Sequence, residues 1–162
     1  MLGYTGAGKT TAAEIIAQLT GAIHLASDRM RLDIFKKTQL SRQEHQQLYK
    51  TIDKKTEELL AAGKSIIYDA NLNKLAYREE KYAIAKRTNA KVVLIWVKVT
   101  KPLAKLRATK SQDSERRPLG NLGEETFERV VAETEQPSES EKPIELDGMD
   151  VTQASVKQAL KI

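Results

Sequence analysis

The chain has 162 residues, of which 40% are hydrophobic and 30% are charged, and its net charge is +5. This length holds one domain with a hydrophobic core and leaves hardly any room for a second, while the composition excludes a chain that stays disordered. No apolar stretch approaches the roughly 18 residues of a membrane span, and no basic-then-apolar leader is evident, so we expect a cytoplasmic protein. The lack of cysteine excludes disulfides and thiolate chemistry, and neither histidine, His24 or His45, is expected to be catalytic.

Helical stretches alternate with short β-branched runs, a pattern typical of a parallel sheet covered by helices. Helices are predicted at 8–19, 27–37, 41–63, 75–88, 102–110, 124–133 and 151–160. Strands are predicted at 22–26, 65–69, 92–99 and 144–146. Gly21 marks one helix end, and Ser41 with Glu44 has the spacing of a capping box. The sequence therefore predicts one α/β domain over residues 1–162, with a three-layer, doubly wound parallel sheet.

The first ten residues carry the most specific pattern of the chain. Residues 3–10 fit the phosphate-loop pattern GxxxxGK[ST] at every fixed position, and a predicted helix follows at once. Glycines let the backbone wrap around a phosphate, and the helix dipole adds positive potential there. Lys9 would then bridge the β- and γ-phosphates, and the Thr10 hydroxyl would bind Mg²⁺; the alternative is a glycine-rich turn before an ordinary helix. The predicted nucleotide-binding residues are Gly3, Tyr4, Thr5, Gly6, Ala7, Gly8, Lys9, Thr10 and Thr11.

Only Met1 and Leu2 precede this loop. A phosphate loop usually follows a buried strand of about five or six residues in the middle of the sheet. We therefore expect the N-terminal strand to be largely missing, either because the sequence starts downstream of the true start or because a stub suffices. An absent central strand would leave buried backbone groups unpaired at roughly 1 to 3 kcal/mol each, so a version extended upstream is expected to be more stable and more active.

Polar residues follow two predicted strands at their C-terminal ends, which face one crevice in an open parallel sheet. Asp28 and Arg31 are three residues apart at the start of a helix, so both can point into the crevice. Asp28 would accept the proton of an acceptor hydroxyl, and Arg31 would bind an anionic acceptor; the alternative for Asp28 is a charge stabilised by the helix dipole. Asp69, at the tip of the next strand, is either an acid that holds Mg²⁺ through water or a plain loop acid.

Positive charge is concentrated in one segment of the chain. Residues 91–120 contain eight basic and two acidic side chains, whereas residues 121–162 contain four basic and ten acidic ones. A mobile basic lid at about 105–122 could close over ATP, exclude water and offset the charge that develops during phosphoryl transfer. The alternative is an ordinary solvated helix face.

These residues resemble the polynucleotide-kinase-like P-loop kinases, which are grouped with AAA-type ATP-binding proteins and are similar also to zeta toxins and gluconate kinases. The resemblance rests on the phosphate loop, on the Ser-Asp-Arg-Met-Arg run at 27–31, and on Asp-Ala-Asn at 69–71 with Arg78 beyond it. It rests further on Arg107, which precedes a basic loop. The chain departs from the family at Thr5, where proline is frequent, and in a longer lid.

The resemblance implies roles for individual residues. Asp28 is the general base toward the acceptor hydroxyl, and Arg31 binds the acceptor's phosphate. Asn71 and Arg78 line the acceptor site. Arginines of the lid clamp the ATP phosphates, and the candidates are Arg107, Arg116 and Arg117.

The sequence thus predicts a kinase that uses ATP and Mg²⁺ to phosphorylate a hydroxyl of a small-molecule, nucleotide or polynucleotide acceptor, without a membrane partner. The alternative is a non-catalytic, nucleotide-binding regulatory or nucleic-acid-associated protein. A GTPase switch is disfavoured because no Asn-Lys-x-Asp motif occurs. The expected catalytic residues are Lys9, Asp28, Arg107 and Arg116, and the expected metal ligands are Thr10 and Asp69.

Overall fold

The computed structural model describes residues 1–112 and 118–162. Helices lie at Lys9–Thr20 (α1), Ser27–Ile34 (α2), Arg42–Ala61 (α3), Leu75–Arg87 (α4), Lys101–Thr109 (α5), Glu124–Ala132 (α6) and Gln153–Leu160 (α7), and a 3₁₀ turn spans Glu139–Glu141. Strands lie at Ile23–Ala26 (β1), Ile66–Asp69 (β2), Ile95–Lys98 (β3) and Ile144–Asp147 (β4). Every predicted helix and strand is present, with ends that differ by up to three residues. No helix within these ranges is long and apolar enough to cross a membrane.

The strands pair in parallel, as the alternation of elements predicts. β1 pairs with β2, with Ala26 opposite Asp69, and β3 pairs with β4, with Ile95 opposite Ile144. The C-terminal ends of paired strands therefore lie at one edge of the sheet, where the crevice of an open α/β sheet forms.

The first two residues join the two strand pairs. The Leu2 N–H donates to the Ile95 carbonyl at 2.8 Å, and the Val97 N–H donates to the Leu2 carbonyl at 2.9 Å. On the other side, the amino group of Met1 donates to the Tyr68 carbonyl of β2 at 3.1 Å. A two-residue segment thus takes the central position between β2 and β3, where a longer strand usually precedes a phosphate loop.

The third strand is shorter than its sequence suggests. The β-branched run predicts a strand over 92–99, but Val92 and Val93 are exposed and lie before the observed strand. Pairing with β4 begins at Ile95, and the bridge to Leu2 lies at Trp96. Hydrophobicity marks a segment that can form a strand, whereas the ladder extends only where a neighbour supplies backbone partners.

The two faces of the sheet carry separate clusters of buried side chains. On one face, Ile67 packs with Ile16 of α1 among residues that reach β3, β4 and α7. On the other face, Leu25 and Tyr68 pack against Leu48 of α3. Because side chains alternate along a strand, Asp69 shares the α1 face with Ile67. The carboxylate at the end of β2 is thereby directed toward the helix that follows the phosphate loop.

Candidate active site

The glycines of the phosphate loop are required by its conformation and by close backbone contacts. Gly3, Gly6 and Gly8 have φ angles of 139°, 90° and 101°, in the region that L side chains rarely adopt. A Cβ at Gly3 would overlap the carbonyl oxygen of Val97, and one at Gly6 would overlap that of Ala104. The loop therefore rests directly on β3 and α5.

The centre of the loop is a tight turn that leads into α1. The Ala7 N–H donates to the Tyr4 carbonyl at 3.0 Å, which closes the chain around Thr5. Helix α1 begins immediately after Gly8, which has no side chain to cap the helix. The first N–H groups of α1 are therefore presented beside the loop, an arrangement suited to an anion.

Lys9 folds back over the loop. Its Nζ donates to the Gly3 carbonyl at 2.9 Å and to the Tyr4 carbonyl at 3.0 Å. Thr10 and Thr11 follow in the first turn of α1. The ammonium group, the loop N–H groups and two hydroxyls thus lie in one short stretch of chain, and a triphosphate could replace the carbonyls as the partner of Lys9.

Asp69 contacts this stretch from the end of β2. Asp69 is 5% exposed, and its carboxylate accepts a hydrogen bond from His24, whose Nε2 lies 3.0 Å from Oδ2, while the Thr10 side chain also acts on it. Burial alone would raise the pKa of Asp69, but the His24 hydrogen bond, the charge of Lys9 and the Thr10 hydrogen bond outweigh it and hold the pKa below its usual range. The site therefore holds an ionised carboxylate beside a hydroxyl.

This donor set fits Mg²⁺. Mg²⁺ prefers oxygen ligands and is usually held by one or two protein oxygens, with water and substrate phosphates completing its coordination. In residues 1–112 and 118–162, no group of three or more His, Cys, Asp or Glu side chains is arranged to hold a metal ion. Thr10 and Asp69 thus suit a metal that arrives with a nucleotide rather than one held by a cage of protein ligands.

The sequence alone predicts no role for His24, yet the fold brings it to this carboxylate. His24 lies on β1 two residues before Ala26, the register partner of Asp69. Both side chains therefore point to the same face of neighbouring strands. The parallel register between β1 and β2 is the signal that would have identified the pair, and it is not readable from the spacing of 45 residues between them.

Asp28, Arg31 and Asn71 each influence the hydroxyl of Tyr49, a residue of α3. Asp28 is an exposed residue in the first turn of α2, directly after β1. Burial raises the pKa of Tyr49 to about 12, while the backbone of Asn71, the charge of Asp28 and the charge of Arg31 also act on its hydroxyl. The roles of these three residues in acceptor binding stay predictions.

Arg31 is a buried cation with an unsatisfied nitrogen. The residue is 6% exposed, and its Nη1 has no hydrogen-bond partner among the described residues. The Glu44 carboxylate lies 3.7 Å away, beyond hydrogen-bond distance, and Nη2 lies 3.4 Å from Nδ1 of His45. Burial and the charge of Arg31 lower the pKa of His45.

Glu44 is held away from Arg31 by the loop before α3. Its carboxylate accepts from the Thr38 hydroxyl at 2.8 Å and from the Gln39 N–H at 3.0 Å. These bonds, with the Gln39 backbone first, lower the pKa of Glu44. The Glu44 carboxylate is thus hydrogen-bonded within its own loop. The charge of the Arg31 guanidinium is therefore only partly neutralised.

Arg78 lies in different surroundings. It is 1% exposed on α4, and its guanidinium donates to both carboxylate oxygens of Glu141 at 2.7 and 3.0 Å. The same group donates to the carbonyls of Leu72 and Glu135, each at 3.2 Å. These contacts engage every nitrogen of the guanidinium within the protein, and the predicted role of Arg78 in acceptor binding stays a prediction.

Arg107 lies beside the phosphate loop. Its Nη1 donates to the Gly148 carbonyl at 2.9 Å, and a Cβ at Gly148 would overlap the carbonyl of Ala7. Arg107 is therefore anchored to a backbone segment that touches the loop. The other two lid candidates, Arg116 and Arg117, lie outside the described residues.

Acidic residues of α6 face part of the basic segment. Lys101 pairs with Glu128 at 2.6 Å, and Lys105 pairs with Glu124 at 2.9 Å and with Glu128 at 3.0 Å. Beneath these pairs, the buried Phe127 of α6 packs against α5. The concentration of positive charge in the sequence is thus partly matched by the acidic segment that follows it, and these two lysines fit the solvated-surface alternative.

Comparisons with known proteins agree with this architecture. A family model described as an AAA domain matches residues 1–137. The fold is similar to a sugar kinase from Janibacter sp. HTCC2649, with a TM-score of 0.71, 18% identity, and coverage of 99% of this chain and 90% of the other. It is also similar to a gluconokinase from Sinorhizobium meliloti 1021, with a TM-score of 0.65, 15% identity, and coverage of 99% and 87%. No curated protein gave a significant match. These similarities confirm the predicted α/β P-loop fold.

Proposed function

The chain belongs to the AAA domain family, and we propose that it is an ATP-dependent kinase whose acceptor is a hydroxyl-bearing, anionic small molecule. One observation carries the proposal: the phosphate loop meets an ionised Asp69 through Thr10 at the same sheet edge where β1 delivers Asp28. The proposed nucleotide site and the proposed base would thus lie at the ends of two neighbouring strands, which supports a transfer reaction that depends on positioning.

Residues 3–11 would bind the phosphates of ATP. The N–H groups of the loop and of the first turn of α1 would donate to phosphate oxygens, and Lys9 would exchange its two loop carbonyls for the β- and γ-phosphates. Thr10 and Asp69 would hold Mg²⁺, directly and through water. In that position Mg²⁺ would supply positive charge against the charge that develops on the phosphates during transfer.

Asp28 would act as the general base. Its carboxylate would take the proton of the acceptor hydroxyl as the hydroxyl oxygen forms a bond to the γ-phosphorus, and the bond from that phosphorus to the β–γ bridging oxygen breaks to release ADP. Arg107, beside the loop, would stabilise the transferring group with Arg116 of the lid. Phosphoryl transfer depends chiefly on such positioning and charge stabilisation.

The acceptor would carry an anion because Arg31 has a buried nitrogen with no hydrogen-bond partner in the described part of the chain. A carboxylate or phosphate oxygen would satisfy that nitrogen, and charge-assisted bonds of this kind are among the stronger ones in proteins. Asn71 would line the same crevice. The two similar solved structures are named a sugar kinase and a gluconokinase, which favours a sugar-type acceptor, such as a sugar acid or sugar phosphate, over a nucleic-acid end.

A transfer screen with three variants tests the proposal. ADP release from ATP is measured with sugars, sugar acids, sugar phosphates and 5′-hydroxyl oligonucleotides. Lys9→Ala is expected to abolish tight ATP binding. Asp28→Asn is expected to keep ATP binding and to lower transfer by about 10²-fold or more, the usual contribution of a general base. Asp33→Asn, on the same helix and also exposed, is the matched control and is expected to keep full transfer.

Two outcomes would contradict the proposal in different ways. Undiminished transfer by Asp28→Asn would reject the assigned base while leaving a kinase. ATP binding without transfer to any member of the panel would favour the non-catalytic nucleotide-binding protein that the sequence leaves as the alternative.

A further inference from the structure

His24 and Asp69 form a buried pair at the metal end of the site. The side chain of His24 is 11% exposed, and its Nε2 lies 3.0 Å from Oδ2 of Asp69. The strands that carry them are paired in register, so both backbones are fixed relative to each other. The pair is therefore held by the sheet itself rather than by a loop.

The hydrogen bond determines how the carboxylate is turned. Rotation of an aspartate carboxylate about its last torsion is broad and weakly restrained. Thr10 approaches Asp69 from α1, and His24 holds Oδ2 from β1. With one oxygen fixed from the neighbouring strand, the plane of the carboxylate is set with respect to Thr10.

We propose that His24 is a positioning residue, which donates from Nε2 to Asp69 and orients its carboxylate for the Mg²⁺ that binds with the nucleotide. The inference rests on the proposed function, in which Asp69 and Thr10 hold that ion. Hydrogen-bond partners of metal-binding carboxylates commonly set metal affinity, and their loss typically costs 10- to 100-fold. The alternative is that His24 only packs in the interior and provides a hydrogen bond to the buried carboxylate of Asp69, without affecting metal binding.

The test separates nucleotide affinity from its metal-dependent part. ADP binding is measured by calorimetry in EDTA and in excess Mg²⁺ for the wild type, for His24→Phe and for His24→Gln. Phe keeps the ring volume without a donor, and Gln restores an amide donor. We expect equal ADP affinity in EDTA for all three, a gain with Mg²⁺ that is about tenfold smaller in His24→Phe, and substantial recovery of that gain in His24→Gln.

The results that would contradict this inference can be distinguished from a failure of the proposed function. A full Mg²⁺ gain in His24→Phe, or a gain that is lost equally in His24→Gln, would overturn the role of His24 alone. A wild type whose ADP affinity is unaffected by Mg²⁺ would overturn the metal site and this inference together. If His24→Phe does not fold, the imidazole ¹⁵N spectrum of the wild type decides: the inference requires a proton on Nε2, and a ring protonated only on Nδ1 would overturn it.

Discussion

Two arginines are buried near the ends of β1 and β2, and their surroundings differ sharply. Arg78 donates to both oxygens of Glu141 and to backbone carbonyls. Arg31 has Glu44 at 3.7 Å and keeps one nitrogen without a hydrogen bond in the described residues. Within the described residues, the guanidinium of Arg78 thus has a hydrogen-bond partner at every nitrogen, whereas that of Arg31 does not.

The difference distinguishes an arginine that is fully bonded within the protein from the arginine that we propose binds the acceptor. An unpaired polar group that is buried destabilises the folded state, so proteins retain such groups where something else is gained. Arg78 ties α4 to the 3₁₀ turn at Glu139–Glu141, across 63 residues of sequence. The charge of Arg31 instead acts on the hydroxyl of Tyr49 in α3, and no hydrogen bond among the described residues reaches its Nη1. Stability should therefore depend on Arg78, and acceptor binding on Arg31.

The largest expected effect is that of Arg78→Gln. The substitution leaves the Glu141 carboxylate, whose side chain is 5% exposed, without its guanidinium partner. Breaking a buried pair in this way costs about 3–5 kcal/mol in free energy of unfolding, because the remaining charge stays buried. Denaturant unfolding measures the loss. Arg87→Gln, which removes an exposed pair with Glu57 from the same helix, is the matched control and should change stability little. Equal losses in both variants would remove the distinction between buried and exposed pairs.

A second, somewhat smaller effect is expected from pH. The hydrogen bonds from Arg78 hold the pKa of Glu141 at about 2, against 4.5 for an unperturbed glutamate. Because the folded-state pKa is depressed, this pair stabilises the fold fully above pH 4.5, and the stabilisation is lost as pH falls toward 2. The shift corresponds to about 3 kcal/mol. Between pH 5 and pH 2, the free energy of unfolding should therefore fall more steeply with decreasing pH in the wild type than in Glu141→Gln. The same pH dependence in both proteins would contradict the assignment.

The distinction between the two arginines could not be predicted from the sequence, although the phosphate loop could. The glycines of residues 3–8 specify their own conformation locally, and the strand ends follow from hydrophobic runs and punctuation. Arg78 depends on Glu141, and His24 depends on Asp69, which lie 63 and 45 residues away. Such pairings are set by sheet register and helix packing, which local patterns do not encode.

The start of β3 could not be predicted from the sequence either, because it depends on backbone pairing with neighbouring strands. Val92 and Val93 have strand propensity, yet they are exposed because pairing begins only at Ile95. Propensity is a property of the segment, and pairing is a property of its neighbours. The sequence therefore predicts which segments form strands better than it predicts where those strands start.

The smallest expected change in stability, and the most informative one, is that of Arg31→Met. Methionine fills much of the same volume and removes a partly compensated buried cation, while Glu44 keeps its bonds to Thr38 and Gln39. Because Glu44 stays hydrogen-bonded within its own loop, the substitution leaves no buried carboxylate without a partner, and we expect the free energy of unfolding to change by less than about 1 kcal/mol. The KM for the acceptor with the highest turnover in the transfer screen should rise at least tenfold, with the affinity for ATP unchanged, because only the acceptor loses a charge-assisted contact. A loss of stability as large as that of Arg78→Gln, with KM unchanged, would show that both arginines are structural and that the acceptor needs no anion.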